Sequence, residues 1–227
     1  AGPTRMTLPT EARSPDTTLA EIRATLTRRR AELSATLPTS PGAPVAAELV
    51  GMALGRRNAA ILDELLTSLF EGLRSGAIVV GSSRPVPPGA WDDVALAGVG
   101  SYGRGAVALK SDLDVRLLAR NVDKAAAVAD ALLYPLWDMG VSIGHQVVTV
   151  DDLLHSAKTD LPAATSLLDW RHVAGDRSLS EALRKRGEEG IFAHSELPRF
   201  LARLEEEAAQ RHARFGGSVY LLEPDVK

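Results

Sequence analysis

The chain has 227 residues, 45% hydrophobic and 24% charged, an ordinary balance for a soluble globular protein with a buried core. Its net charge of -3 gives no reason to expect nucleic acid as a partner, and the absence of cysteine removes disulfides, thiol nucleophiles and cysteine-ligated metals. No apolar run reaches the roughly 20 residues that span a bilayer, and the N-terminus lacks a signal pattern. The expectation is a cytoplasmic protein with no membrane partner.

Residues 1–15 mix Pro, Thr and Arg and read as a disordered or tag-like start. Leu19, Ile22, Leu26 and Leu33 then recur at near-helical spacing, which predicts a polar amphipathic helix over 16–37. Pro38 to Pro44 reads as a linker. A longer helix over 45–74 comes next, with Leu49, Met52, Ile61, Leu62, Leu65, Leu66, Leu69 and Leu73 on its buried face. Residues 81–90 hold three prolines and two glycines and read as a loop that closes a helical region over 16–90.

A strand is expected over 93–99, then a glycine turn, Gly98-Val99-Gly100-Ser101-Tyr102-Gly103-Arg104-Gly105, then a second strand over 112–119. A helix over 122–138 ending at Gly140 and a third strand over 141–150 complete a core spanning 91–150. Beyond it the pattern reads as helices over 151–158, 161–173, 178–190 and 196–215, a helical extension over 151–227 that stops as if truncated. Strands separated by helices and succeeded by a helical tail point to a small α/β core with helices around it.

The chemistry concentrates at the turn. Backbone amides of a glycine turn bind phosphate, and paired carboxylates bind Mg²⁺. Asp112 and Asp114 are two apart on a strand, so they are expected to project together toward whatever the turn cradles. A Rossmann loop is ruled out, because the next strand comes too soon for a crossover helix. By the same parity Arg116 shares the face of the aspartates, either to contact a phosphate or to pair with the carboxylates and compete with metal. Arg104 has two equal readings, phosphate contact or surface arginine. Packing is the simpler role for Tyr102 than base stacking, and a core position the simpler one for His145. The five histidines show no tight ligand spacing.

Gly100-Ser101 with Asp112-x-Asp114 downstream among apolar residues resembles the polymerase-β-like nucleotidyltransferase superfamily. More narrowly, Gly-Tyr-Gly-Arg-Gly leading to Ser111-Asp112-Leu113-Asp114 is similar to the N-terminal catalytic domain of bacterial PII uridylyltransferases. The likeness continues through Leu133 to Asp138, Gly144-His145, Asp160 to Asp169, Ala174-Gly175-Asp176, Arg211 to Gly216 and Ser218 to Pro224. It implies an α+β fold, a small mixed sheet with helices packed around it and a helical C-terminal extension. It also implies transfer of UMP from UTP to a tyrosine of a PII-type regulatory protein, with release of pyrophosphate.

On that resemblance Gly100 and Ser101 hold the triphosphate, while Asp112 and Asp114 are the catalytic and Mg²⁺-binding pair. Arg104, Ser111 and Arg116 complete the expected nucleotide-binding set. Family members also carry a phosphohydrolase domain that removes UMP, but no His-Asp dipeptide occurs in this chain. The chain departs from the family pattern at Ser101, Ala106, Leu109 and Arg116. It offers no acid in 141–150 for the superfamily's third carboxylate. Three alternatives stay open: adenylyl transfer to another acceptor, a nucleotide sensor with weak or no turnover, and a scaffold that docks a partner through helices 16–74.

Overall fold

The computed structural model describes residues 18–37, 50–81 and 84–215. The expectations for 1–15, for the linker after Leu37 and for the Ser218–Pro224 motif lie outside the described residues. Helix α1 (Leu19–Ala35) starts where Thr18 and Glu21 cap each other: Glu21 N–H donates to Thr18 Oγ1 at 3.3 Å, and Thr18 N–H to Glu21 Oε2 at 2.8 Å. Its Ile22, Leu26 and Leu33 are buried. Helix α2 (Gly51–Ser75) carries a long buried stripe, including Leu62, Leu65, Leu66, Leu69 and Phe70, and ends at Gly76 in the left-handed conformation. Each fully buried leucine of this kind is worth about 2 kcal/mol.

Four strands form one mixed sheet in the order β3-β2-β1-β4. Strand β1 (Val94–Gly98) is antiparallel to β2 (Leu113–Ala119), and β2 is parallel to β3 (Ile143–Val148). Between β2 and β3 the chain crosses over through α4 (Val122–Asp138), whose first turn is capped by Asn121. Every residue of β1 is buried, so its apolar run shows no alternation. On one face the sheet packs against α2 and α4 through Val94, Leu96, Val115 and Leu117. On the other, Ala95, Leu118 and Val148 meet α5 (Val150–Ala157) and α7 (Arg177–Glu189). Helix α8 (Leu197–Phe215) docks by Phe200 beside α5 and α6 (Leu161–Leu168). Among the described residues no helix is long and apolar enough to cross a membrane.

One expected element is corrected. The helix predicted over 161–173 stops at Leu168, and Arg171–Gly175 is a fourth strand, β4, antiparallel to β1. A short apolar run has no period long enough to separate strand from helix, and the open edge of β1 decides between them. The sheet therefore draws on residues on both sides of position 150, and the segment beyond that position is not purely helical.

Candidate active site

Strand β1 ends at Gly98, and Val99 N–H donates to the Asp114 carbonyl at 3.1 Å, fastening the turn to β2. The turn itself is a single helical turn, α3 (Gly100–Gly103), entered at Gly100 with φ +57°, a region side-chain-bearing residues rarely adopt. Gly103 N–H donates to Val99 O at 2.9 Å and Arg104 N–H to Gly100 O at 3.0 Å. The amides of Gly100, Ser101 and Tyr102 therefore open the turn with no acceptor inside it. A Cβ on Gly103 would overlap the carbonyl of Asp169, so the turn lies directly on the α6–β4 corner.

Asp114 stands on β2 opposite Gly144 of β3. A Cβ at Gly144 would sit 2.6 Å from Asp114 Oδ1, and one at Gly100 would sit 3.6 Å from Oδ2. The carboxylate thus occupies a slot between the turn and the bare backbone of β3. Burial pushes its pKa up, Arg116 pulls it down, and Asp112 pushes it up again, so both charges reach it. Asp112 precedes the strand and is exposed, whereas Asp114 is half-buried, so the pair straddles the rim of the slot. Ser111, also exposed, donates its hydroxyl to the Asp112 carbonyl at 3.2 Å.

Arg116 lies one pleat further along the same face, level with Ala97 of β1 and Gln146 of β3. It is half-buried, and burial lowers its pKa while Asp114 raises it; a guanidinium stays charged all the same. Its Nη1 donates to the Val115 carbonyl at 3.1 Å, and its buried Nε has no acceptor. Among the described residues it makes no ion pair, so of the two expected roles direct pairing with Asp112 or Asp114 is absent. Arg104 is engaged instead: its guanidinium pairs with Asp169 at the α6–β4 corner.

His145 is corrected. It is exposed, not in the core, and meets Trp137 edge-on at 5.8 Å between ring centroids. Its register partner is Val115, so it lies on the sheet face away from Asp114. Tyr102 packs, as its simpler reading has it, but with a task. It is fully buried, and its hydroxyl donates to Asp63 Oδ1 of α2 at 2.6 Å. Arg171 of β4 lies 4.7 Å over its ring, pairs with Asp63 Oδ2 at 2.9 Å, and donates to the carbonyls of Tyr102 (Nη2, 2.8 Å) and Gly103 (Nε, 3.2 Å). Burial and the adjacent Asp63 charge drive the Tyr102 pKa far above its usual value, so the phenol remains a donor.

Asp63 and Arg171 do not show in the sequence. One is an acid beside an apolar helical stripe, and the other opens a run whose pattern reads as helix. Asn58, fully buried on α2, adds a further tie by donating to the carbonyls of Val107 (3.1 Å) and Ala108 (3.3 Å) beyond the turn.

The site face of β3 carries Gly144, Gln146 and Val148 and no acid. Among the described residues no group of three or more His, Asp or Glu is assembled to hold a metal. Two hard carboxylates at the rim of a slot nevertheless suit Mg²⁺, which takes one or two protein carboxylates and completes its shell with phosphate oxygens and water. The donor chemistry of Asp112 and Asp114 therefore fits such an ion.

No family model matches the chain. Three curated relatives share one description, bifunctional uridylyltransferase/uridylyl-removing enzyme. That of Novosphingobium aromaticivorans is 32% identical over 208 residues, 91% of this chain and 21% of the relative. That of Streptomyces coelicolor is 35% identical over 193 residues, 83% of this chain and 22% of the relative. A Bradyrhizobium protein is 38% identical over 144 residues, 63% of this chain and 15% of the relative. The chain thus spans about a fifth of the length of the curated relatives it matches.

Proposed function

Because the chain is homologous to part of the bifunctional uridylyltransferase/uridylyl-removing enzymes, we propose that the Gly100–Asp114 site is a nucleotidyltransferase centre. It would transfer UMP from UTP to a tyrosine hydroxyl of a PII-type regulatory protein in the cytoplasm. The observation that carries this reading is the pairing of free amides at the start of α3 with the unpaired carboxylates of Asp112 and Asp114 across one slot. A triphosphate laid on the amides brings its phosphates beside both acids.

In the reaction the acceptor oxygen attacks the α-phosphorus, the bond from that phosphorus to the pyrophosphate oxygen breaks, and the acceptor loses its proton. The substrate needs charge neutralised at the reacting phosphate and its oxygens held in line. Mg²⁺ held by Asp112 and Asp114 would supply that neutralisation. The Gly100, Ser101 and Tyr102 amides hold phosphate oxygens, Ser111 borders the rim, and Arg116 reaches phosphate from the floor of the slot. Arg104, tied to Asp169, fixes the corner on which the turn rests.

Uracil selection has no visible determinant, so the test compares nucleotides. The full chain is incubated with Mg²⁺, a PII-type protein and either UTP or ATP, and pyrophosphate release and acceptor mass are monitored. UTP-dependent release with a UMP-sized mass gain on an acceptor tyrosine is the expected result. ATP-only transfer would replace uridylyl by adenylyl transfer. A second reading, nucleotide binding without turnover, is favoured by the acid-free face of β3. Metal-dependent UTP binding with no release on any acceptor would establish it.

A further inference from the structure

Asp114 and Arg116 lie on one face of β2 with Asp112 just before it; the first two feel each other's charge, and none of the three forms an ion pair among the described residues. Other guanidiniums nearby are neutralised directly: Arg104 by Asp169, Arg120 by Asp93 and Asp176, Arg171 by Asp63. Arg116 is half-buried, and its buried Nε lacks an acceptor. A half-buried charge without a counter-ion is costly. Asp114 and Arg116, both half-buried and unpaired beside the exposed Asp112, call for a ligand that answers both signs. A cation alone answers the aspartates and is repelled by Arg116. An anion alone answers Arg116 and is repelled by the aspartates. Only a species carrying both signs suits the whole set.

We propose that Arg116 makes this site selective for a preformed divalent metal–polyphosphate complex over either component alone, so that metal and nucleotide load together. The inference rests on the nucleotidyltransferase reading for the identity of the polyphosphate. With two carboxylates and one guanidinium the free site carries a net charge near -1, too little to hold a bare divalent ion well. A like charge one pleat away in a half-buried setting weakens such an ion by about tenfold. Linkage makes the effect reciprocal: bound metal strengthens the anion by the factor with which the anion strengthens the metal.

The test uses Mn²⁺ and inorganic tripolyphosphate on the full chain, with free Mn²⁺ read by electron paramagnetic resonance and polyphosphate binding by calorimetry. The wild type is expected to bind each component alone at least about tenfold more weakly than the preformed complex. Arg116→Met is expected to bind Mn²⁺ alone about tenfold more tightly than the wild type and the complex more weakly, at an unchanged or higher melting temperature. Arg116→Lys restores the exclusion of free metal by restoring the charge. Tight binding of free Mn²⁺ by the wild type overturns the proposal without any variant, as does equal Mn²⁺ affinity in wild type and Arg116→Met. Pyrophosphate release from UTP separates the two readings. A protein that shows the Mn²⁺ pattern but turns over neither UTP nor ATP sinks the transferase assignment and keeps the charge selection. Turnover together with tight free-metal binding does the reverse.

Discussion

Two sets of charges flank the glycine turn and are treated in opposite ways. Behind it, Asp63, Tyr102 and Arg171 bond to one another and to the turn's own carbonyls. In front of it, Asp114 and Arg116 feel each other's charge and Asp112 stands beside them at the rim, yet none of the three forms an ion pair among the described residues. Charge that meets its partner inside the protein holds the fold, whereas charge kept apart at a rim is held for something else. The rear set fixes where α3 points, and the front set is left without ion-pair partners of its own among the described residues.

That contrast breaks most readily at the front. Replacing both Asp112 and Asp114 by Asn should lower nucleotide transfer by about a thousandfold or more, since metal and phosphate charge would go unmanaged. The melting temperature should hold or rise, because burial and the neighbouring Asp112 oppose the Asp114 charge in the folded state. A steady-state pyrophosphate assay and a thermal melt on the same sample check both halves. Collapse of the fold with activity would mean the aspartates belong to the scaffold.

The rear set should respond the other way. Arg171→Met leaves the Asp63 charge without its cation and takes a donor from each of two turn carbonyls, and should cost about 2 kcal/mol of stability. The figure is kept below that of a fully buried pair because the Arg171 and Asp63 side chains are 30% and 37% exposed. A denaturant melt reads the loss, and KM for nucleotide should rise more than kcat falls, since the misplaced group is the proposed phosphate cradle. A smaller effect separates the two sets at one atom. Gly144→Ala places a methyl 2.6 Å from Asp114 Oδ1, on the front set alone. Transfer should fall by about tenfold, with less than about 1 kcal/mol lost from stability.

Legibility divides along the same line. The grouping of the front set is readable in the sequence, because Gly100, Ser101, Asp112, Asp114 and Arg116 all lie within 17 consecutive residues and strand parity puts Asp114 and Arg116 on one face. The rear set is not, because Asp63, Tyr102 and Arg171 are joined across sequence separations of 39, 69 and 108 residues, and nothing local announces them. For the same reason β1, β2 and α4 can be placed nearly to the residue while β4 reads as helix: its strand identity comes from pairing with β1, not from its own pattern. Arg104 and His145 show the limit on the other side. Residue type and position beside a motif suggest a site role for one and the core for the other. Tertiary contacts give Arg104 an ion pair with Asp169 and set His145 on an exposed face beside Trp137.

His172 gives the mildest test, because it lies on the site face yet belongs with the rear in being satisfied. It is level with Ala97 of β1, and its Nδ1 meets the Ser180 hydroxyl of α7 at 3.1 Å. Burial lowers its pKa from 6.5, Arg177 lowers it further, and Asp176 and Glu181 oppose. The unfolded chain therefore takes up a proton at this residue more readily than the folded one, and linkage makes stability fall as pH drops through the unfolded value near 6.5. Above that pH the histidine is neutral in both states and has no such effect. His172→Gln should flatten the stability profile between about pH 7.5 and 5.5 by an amount smaller than the Arg171→Met loss, read as urea midpoints across that range. A profile equally steep in the variant would assign the slope to another group and leave His172 as packing alone. A stability that rose on acidification in the wild type and lost that rise in His172→Gln would mean the ring carries its proton in the folded state, placing it with the unpaired charges at the front.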